Sequence, residues 1–323
     1  MYNVAVIGVG QIGSRHLQAL AKSNLDVNIY AVDPSLESRK IAKERFEQID
    51  ATNAVKSSHY IESISELPDE LEMVVIATSS KIRYRVAEEL LQNKNVKFLI
   101  LEKVLFQSIS EYEMFTKLVH KRNAKCWVNH PRRMYPLYSE LKEKLKGKDI
   151  SYRVNGGDWG LACNSLHFLD VFSFLIGEKS IDLDFSCVEN EVIPSKRDGY
   201  IELYGEIKGS AGNSSISLLS KREQMPFHVT ILSEDFVAYI DEVSGFMRVS
   251  TKNEIWNWEV KEEQIIHFQS DLTNKVFESL VNSGECDLTS YEESQSLHKK
   301  FIRKTLEKIK DVNNEILDHC PIT

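Results

Sequence analysis

The sequence predicts an α/β protein. An N-terminal Rossmann domain with a doubly wound parallel sheet precedes a C-terminal α+β domain with a large, mostly antiparallel sheet. Three observations support this prediction. Strand-like and helix-like segments alternate up to residue 128, a glycine-rich turn follows the first strand-like segment, and strands then follow one another from 150 to 258. A chain of 323 residues is long enough to form two domains, each with its own core.

The first domain contains five expected strands separated by helices. The strands are expected at 3–7, 27–32, 73–77, 98–101 and 126–128. The helices are expected at 12–20, 36–47, 83–91 and 112–120. Repeated strands and helices imply parallel strands joined by right-handed crossovers. Because proline disfavours helix just before it, Asn129-His130-Pro131 marks a border, which gives domains 1–128 and 129–323.

The second domain begins with an expected helix at 137–145 and is then rich in strands. These strands are expected at 151–155, 181–188, 200–207, 214–219, 228–232, 237–240 and 246–249. Consecutive strands with few helices between them favour an antiparallel sheet. The segment 291–317 has a helical pattern and is a candidate for packing back on the first domain.

Composition and charge exclude several function classes. The apolar share of 42% and charged share of 27% are those of a globular protein, and the net charge of -8 argues against nucleic acid as a partner. No run of about 18 apolar residues predicts a membrane span. Five cysteines without metal-ligand or paired spacing predict reduced thiols and no metal site. We therefore expect a cytoplasmic protein.

A glycine-rich turn follows the first expected strand. Gly8, Gly10 and Gly13 have the GxGxxG spacing of a dinucleotide-binding turn. Gly8 permits the tight turn, Gly10 lets a pyrophosphate approach the main chain, and Gly13 lets the helix lie close to the strand. The helix start at Gln11 and Ile12 offers amide donors to the phosphates. A turn with no ligand is the alternative, but the flanking strand and helix favour a nucleotide site.

Asp33 ends the second expected strand, about twenty residues after the glycine turn. Its carboxylate would accept hydrogen bonds from the adenosine ribose and repel a 2'-phosphate, so we predict NAD rather than NADP as cofactor. Arg39 and Lys40 on the following helix leave an NADP interpretation open. Both could equally be solvated helix residues.

Four segments together resemble a known family. They are the start VAVIGVGQIGSRHLQAL, the strand end Ile76-Ala77-Thr78, the triplet Glu102-Lys103-Val104 and the segment CNSLHFLD at 163–170. Along nearly its whole length the chain resembles the glucose-fructose oxidoreductase and inositol dehydrogenase (Gfo/Idh/MocA) family. The resemblance implies an NAD-dependent dehydrogenase acting on a sugar-type substrate, and it adds Thr78 to the expected cofactor contacts.

The resemblance also assigns a role to Lys103. In the family the triplet is usually Glu-Lys-Pro, and its lysine contacts both the nicotinamide end and the reacting hydroxyl. Lys103 would stabilise charge on the substrate oxygen, and Glu102 would lie near the nicotinamide-side ribose. A surface lysine at a strand end is the alternative. Val104 departs from the family proline, so we expect the loop that aims Lys103 to differ.

The family helix usually reads Asp-x-Gly-x-His-x-x-Asp, and this chain keeps His167 and Asp170 but has Cys163 and Ser165 at the other two positions. Spacings of four and seven residues place Cys163, His167 and Asp170 on one helical face. His167 is the expected general acid or base, because imidazole titrates near neutral pH. A structural His with a nearby carboxylate is the alternative. A thiol cannot support an imidazolium as a carboxylate does, and Cys163 could be an inert core residue.

Basic residues suggest the substrate class. An anion clamp could be formed by Lys81, Arg83 and Arg85 with Arg132 and Arg133, which points to an acidic or nucleotide-linked sugar. The segment Cys320-Pro321-Ile322-Thr323 resembles that of relatives associated with bacterial surface-sugar synthesis. Arg133 joins Asn164, His167, Asp170 and Lys103 as an expected substrate contact. A solvated surface is the alternative for the neighbouring Lys81 and Arg85.

Three functions remain open from the sequence. The first is a sugar-type dehydrogenase that uses Lys103 and His167. The second is a non-catalytic NAD-binding regulator or partner protein, because the family carboxylate at 163 and proline at 104 are both replaced. The third is a reductase of some other carbonyl or imine on the same scaffold. In each case we expect a homo-oligomer, a dimer or tetramer, formed through the C-terminal sheet.

Overall fold

The computed structural model describes residues 1–261 and 266–323 and divides the chain into two compact units. The first unit is Met1–Pro131 with His267–Tyr291, and the second is Arg132–Ile266 with Glu292–Thr323. Residues 267–291, which the sequence assigned to the second domain, thus belong to the first unit. Within the described residues, no helix is long and apolar enough to cross a membrane.

The elements are named in chain order. The helices are α1 (Gln11–Leu20), α2 (Leu36–Glu47), α3 (Ser80–Asn93), α4 (Ile109–Arg122), α5 (Pro136–Leu145), α6 (Leu161–Ile176), α7 (Thr273–Ser283) and α8 (Tyr291–Asn313). The strands are β1 (Tyr2–Ile7), β2 (Val27–Val32), β3 (Val55–Ile61), β4 (Glu70–Ile76), β5 (Asn95–Leu101), β6 (Lys125–Val128), β7 (Ser151–Gly157), β8 (Asp182–Val188), β9 (Ile193–Pro194), β10 (Ile201–Glu202), β11 (Gly205–Ala211), β12 (Ser214–Lys221), β13 (Met225–Leu232), β14 (Phe236–Asp241), β15 (Phe246–Thr251), β16 (Trp258–Lys261) and β17 (Thr289–Ser290).

The first unit contains the predicted Rossmann sheet. Among the described residues its strand order is β17-β6-β5-β4-β1-β2-β3, with β17 antiparallel to β6 and the other neighbours parallel. The central strands are apolar and buried, as in β1, where Val4, Ala5 and Val6 have no exposed surface. A strand covered on both faces needs such a continuous apolar run. The parallel Rossmann prediction is confirmed.

The second unit contains the larger, mostly antiparallel sheet, which is also confirmed. Its described strands run in the order β16-β15-β14-β13-β7-β12-β11-β8, and β12 and β7 form its parallel pair. In β12 the side chains alternate between buried and more exposed, because one face of the sheet is covered. The helix α6 packs against β12 and holds the candidate residues of this unit.

Several expected elements were wrong or incomplete. The single strand at 200–207 is divided into β10 and β11, because Gly205 has φ of 102° and a Cβ there would lie 2.5 Å from the Cys187 carbonyl oxygen. The last helix ends at Asn313, not at 317, because Asn314 takes the left-handed conformation that commonly ends helices. The elements β3, β9, β16, α7 and β17 were not predicted.

Candidate functional site

The glycine turn after β1 has the geometry of a dinucleotide site. Gly8 has φ of 86°, which glycine adopts without strain. A Cβ at Gly13 would lie 2.0 Å from the Gly8 carbonyl oxygen, so α1 can lie this close only with glycine there. Gly10 has open space where a Cβ would be, and Gln11 and Ile12 follow it as exposed residues of α1. The amide end of α1 is therefore accessible to phosphate oxygens.

Asp33 follows β2, and its carboxylate reaches the glycine turn. Oδ2 accepts a hydrogen bond from the Val9 N–H at 3.0 Å, and Oδ1 accepts one from the Ser35 N–H at 2.9 Å. Since each carboxylate oxygen can accept about two hydrogen bonds, both retain capacity for another donor. Asp33 can therefore accept hydrogen bonds from a ribose diol while it is fixed to the glycine turn.

A cavity of about 470 Å³ lies beside these residues, within the size range of ligand pockets. It is lined by Ile7, Gly8, Gly10, Val32, Asp33, Pro34, Glu62, Ser63, Ile64, Ala77, Thr78, Ser79, Ile82, Val86 and Glu89. The hydroxyl oxygen of Thr78 is buried and has no hydrogen-bond partner in the described part of the chain. A buried hydroxyl normally has a partner, so this atom and the open space at Gly10 fit a bound NAD.

The cofactor residues and Lys103 lie along one edge of the parallel sheet. Asp33 follows β2, the glycine turn follows β1, Thr78 follows β4, and Lys103 lies just beyond β5. In this sheet β2, β1, β4 and β5 are consecutive neighbours, which separates Asp33 from the end of β5 by three strand spacings, about 14 Å. In open α/β sheets, ligands bind beyond these carboxyl ends of the strands.

Lys103 is partly exposed in the turn after β5, and the Lys103–Val104 peptide bond is cis. Arg83, which is 2% exposed on α3, donates hydrogen bonds to the main-chain carbonyls of Val104 and Thr78. A buried guanidinium thus connects the turn that holds Lys103 to the turn that holds Thr78.

Glu102 belongs to a buried polar network that the sequence analysis did not predict. His16 Nε2 donates to Glu102 Oε1 at 3.0 Å, and the Asn129 side-chain amide donates to the same oxygen. His16 Nδ1 lies 2.8 Å from the Thr273 hydroxyl, which also accepts a hydrogen bond from the Gln269 amide at 3.0 Å. The network joins α1, the ends of β5 and β6, and the returning segment within the first unit.

The network keeps Glu102 ionised. Burial by itself would raise the pKa of this carboxyl, which is 6% exposed. The hydrogen bond and charge of His16, the Asn129 amide and the Arg83 guanidinium outweigh burial and hold the Glu102 pKa below its ordinary value. A fixed negative charge therefore lies next to Lys103 in the chain.

The helix α6 holds the candidate residues of the second unit. His167 is partly exposed, whereas Asp170 is 2% exposed. Arg133 binds Asp170 through two hydrogen bonds of 2.8 Å and donates a third, also 2.8 Å, to Glu293. The Asn164 amide donates to the Trp159 carbonyl at 2.6 Å. The structure thus brings Arg133 and Asp170 together, in a buried pair.

Cys163 lies beside a buried carboxylate that the sequence could not place. The thiol donates a hydrogen bond to the Gly160 carbonyl at 3.7 Å and lies close enough to Glu202 to affect its pKa. Glu202 itself accepts hydrogen bonds from the main-chain N–H groups of Ala162 and Leu203. Burial raises the pKa of Glu202, and these donors offset only part of the rise. Glu202 is 39 positions from Cys163 in sequence, so no local signal connects them. Its position on β10 could be found only from the fold.

The anion clamp is not supported. Arg83 is wrong as a clamp residue because it is buried and bonded to main-chain carbonyls. Arg132 is paired with Glu242 at 2.7 to 3.0 Å, and Arg133 is already neutralised by Asp170. Among the described residues, no group of three or more His, Cys, Asp and Glu side chains could hold a metal ion.

Comparison with known proteins agrees with this geometry. Residues 2–130 match the sequence profile described as the oxidoreductase family GFO_IDH_MocA, NAD-binding Rossmann fold. No curated protein sequence matches the chain.

Several solved structures share the fold. UDP-N-acetylglucosamine 3-dehydrogenase from Acidithiobacillus ferrooxidans is 15% identical with a TM-score of 0.68, covering 94% of this chain and 96% of its own. Levoglucosan dehydrogenase, solved with NADH and levoglucosan, is 15% identical with a TM-score of 0.67, covering 97% of each chain. The transcriptional regulator Gal80p from Kluyveromyces lactis is 17% identical with a TM-score of 0.69, covering 96% of this chain and 92% of its own. The N-terminal domain, over residues 2–130, thus matches the NAD-binding Rossmann domain of the Gfo/Idh/MocA oxidoreductase family, and its cofactor is NAD.

Proposed function

We propose that this protein is an NAD-dependent dehydrogenase that oxidises or forms a carbinol on a sugar-type substrate. The observation that carries this proposal is the position of Lys103, beyond β5 at the sheet edge that also holds the glycine turn and Thr78. Bound NAD supplies the acceptor or donor of the hydride. The chain must therefore orient the carbinol, stabilise charge on its oxygen and transfer its proton.

Lys103 is proposed to bind the reacting oxygen. Its ammonium group would stabilise the negative charge that develops on that oxygen as the hydroxyl loses its proton. The preceding residue, Glu102, is fixed by hydrogen bonds from His16 and Asn129, which anchor the chain just before Lys103. The hydrogen bonds from Arg83 to the carbonyls of Val104 and Thr78 fix this turn, so the main chain that carries Lys103 is held in place.

His167 is proposed as the general acid or base. It is partly exposed on α6, so it can exchange a proton with solvent as well as with a substrate. The buried pair of Arg133 and Asp170 lies one turn further along α6 and fixes that part of the helix. We accordingly propose that Arg133 and Asp170 support the substrate site, with Asn164 and His167 nearer to the substrate.

A carbohydrate is the proposed substrate class. Two structures with this fold are named as dehydrogenases of carbohydrates, UDP-N-acetylglucosamine and levoglucosan. Acidic and nucleotide-linked sugars, such as those of surface-polysaccharide synthesis, are the first compounds to test. Since Arg132 and Arg133 are already paired with carboxylates, neutral sugars belong in the same panel.

A second candidate is a non-catalytic NAD-binding regulator. Two features favour it: a thiol at Cys163, where the family helix has a carboxylate, and the likeness to a protein named as a transcriptional regulator. Such a protein would bind NAD through the same residues and would transfer no hydride.

The test is a screen for NADH formation by the purified protein with NAD and neutral, acidic and nucleotide-linked sugars. Turnover with one class is expected, and Lys103→Ala and His167→Ala should each lower kcat by about 10²- to 10⁴-fold. Lys97→Ala is the matched control, because Lys97 is an exposed lysine on β5, the strand that precedes Lys103, and is paired with Glu72. It should leave kcat unchanged.

Two results would separate the candidates. Tight NADH binding without turnover on any sugar would favour the regulator. Turnover that survives both substitutions would show that Lys103 and His167 are not the reacting groups. The expected homo-oligomer through the C-terminal sheet stays a prediction, which light scattering during size-exclusion chromatography tests.

A further inference from the structure

Arg39 lies on α2 close to the cofactor cavity, in the position that left an NADP interpretation open. Its Nη1 donates hydrogen bonds to the main-chain carbonyls of Asp33 and Pro34, the latter at 3.2 Å. Its Nη2 lies 3.7 Å from the Glu62 carboxylate, and the side chain is only 12% exposed. The guanidinium therefore binds the main chain of the loop that holds Asp33.

The same loop is restrained at several other points. The Asp33 carboxylate accepts hydrogen bonds from Val9 and Ser35, and the Asp33 N–H donates to the Ile61 carbonyl at 3.2 Å. These bonds hold the start of the loop and the carboxylate, but they leave the carbonyls of Asp33 and Pro34 to Arg39. The Arg39 guanidinium thus supplies the hydrogen bonds that hold these two carbonyls of the loop.

We propose that Arg39 is a positioning residue for ribose recognition: by binding both carbonyls it aims the Asp33 carboxylate at the adenosine 2'-hydroxyl. Arg39 thereby favours NAD, which is the opposite of what an arginine after the second strand suggests from sequence. Because only adenosine binding is involved, this role does not depend on hydride transfer.

The charge of the cavity agrees with this role. Among the described residues that line it, Asp33, Glu62 and Glu89 are acidic and none is basic. A 2'-phosphate would therefore meet carboxylates, while Arg39 has its Nη1 bonded to two carbonyls and its Nη2 facing Glu62. A ribose hydroxyl, in contrast, can donate a hydrogen bond to Asp33 without a charge penalty.

The test compares three nucleotides by isothermal titration calorimetry: ADP, 2'-deoxy-ADP and adenosine 2',5'-bisphosphate. The wild-type protein should prefer ADP over 2'-deoxy-ADP by about tenfold, the typical value of a hydrogen bond to a carboxylate. Arg39→Ala should reduce this preference below about threefold, mainly by weakening ADP. Arg39→Lys should give an intermediate preference, because one ammonium group cannot reproduce the planar fork.

The controls separate positioning from a general loss of structure. Lys40→Ala, a change of the exposed neighbouring cation, should keep the wild-type preference. Asp33→Asn should lower the preference by itself, and the double change Arg39→Ala with Asp33→Asn should lower it no further, since both act through one carboxylate.

The proposal is overturned if Arg39→Ala keeps the tenfold preference, or if it weakens ADP and 2'-deoxy-ADP equally while far-UV circular dichroism stays native. Selective loss of the bisphosphate in Arg39→Ala would also overturn it, because Arg39 would then bind phosphate. None of these measurements needs a substrate, so they stand apart from the test for dehydrogenase activity.

Discussion

The buried pair of His16 and Glu102 yields the sharpest prediction for stability. His16→Leu removes a hydrogen-bond donor from a carboxylate that is 6% exposed, while an apolar side chain of similar size limits the cavity. Removing a hydrogen bond to a buried charged group typically costs about 1.5 to 3 kcal/mol. Since Asn129 and Arg83 still stabilise the charge of Glu102, we expect about 2 kcal/mol at pH 7.

The effect should depend on the charge of Glu102. The variant Glu102→Gln should cost about 1.5 to 3 kcal/mol, the typical value of a hydrogen bond to a charged group. His16→Leu in the Glu102→Gln background should cost about 1 to 2 kcal/mol less than in the wild type, because no buried charge is then left without its partner.

The pH dependence gives a second check. The folded-state pKa of Glu102 is lowered from its ordinary value of 4.5, so its stabilising contribution is present above about pH 4.5. That contribution is lost as the pH falls through the lower folded-state pKa, and the cost of Glu102→Gln should shrink over the same range. Urea unfolding followed by tryptophan fluorescence and far-UV circular dichroism at pH 7 and near pH 4 measures both quantities. A cost of His16→Leu that is the same in the Glu102→Gln background would refute the reasoning, since packing alone would then explain it.

Three further predictions concern the two units. Gly13→Ala should lower the free energy of unfolding by about 1 to 3 kcal/mol and abolish NADH binding, because the new Cβ would overlap a carbonyl oxygen. Gly10→Ala, where a Cβ has open space, should leave the free energy of unfolding unchanged and weaken NADH binding about tenfold. Fluorescence titration with NADH measures the binding of both variants. Glu202→Gln keeps an acceptor for the two main-chain N–H groups. Because the folded-state pKa of Glu202 is raised, the free energy of unfolding of the wild type falls as the pH rises above about 4.5. In urea unfolding, the free energy of unfolding of the variant should therefore increase relative to that of the wild type between pH 4 and pH 8. Cys163→Asp places a second carboxylate beside Glu202, so it should lower the free energy of unfolding by about 1 to 3 kcal/mol at pH 8 and by less at pH 4. An equal loss of stability at both pH values would contradict like-charge repulsion as the cause.

The cofactor half of the fold was predictable because its signals are local. The glycine turn, Asp33 and the buried apolar runs of β1 and β4 each lie within a short stretch of sequence. The strand β3 was missed because it is the edge of the sheet in the described chain, where polar residues such as Ser57 and His59 are tolerated and no apolar run is needed.

The supporting contacts of the candidate site were not predictable, because they join distant segments. His16 stands three residues after Gly13, yet nothing in the sequence connects it to Glu102 or to Thr273. Glu202 and Cys163 meet only after β10 and α6 have been placed in the second unit. Residue type and spacing indicated which chemistry to expect, while the partners that tune it depend on three-dimensional packing.

The return of residues 267–291 to the first unit has a consequence for biosynthesis. The strand β17 pairs with β6, the ring of Phe277 packs against Tyr2 at 5.8 Å, and Thr273 meets His16. These contacts join the first strand and helix of the unit to a segment that the ribosome makes much later, with His16 and Thr273 separated by 257 positions. The nucleotide-binding half therefore cannot complete its structure until residues 267–291 have been made, and a fragment that stops at the apparent border would leave the edge of β6 and the imidazole of His16 without these partners.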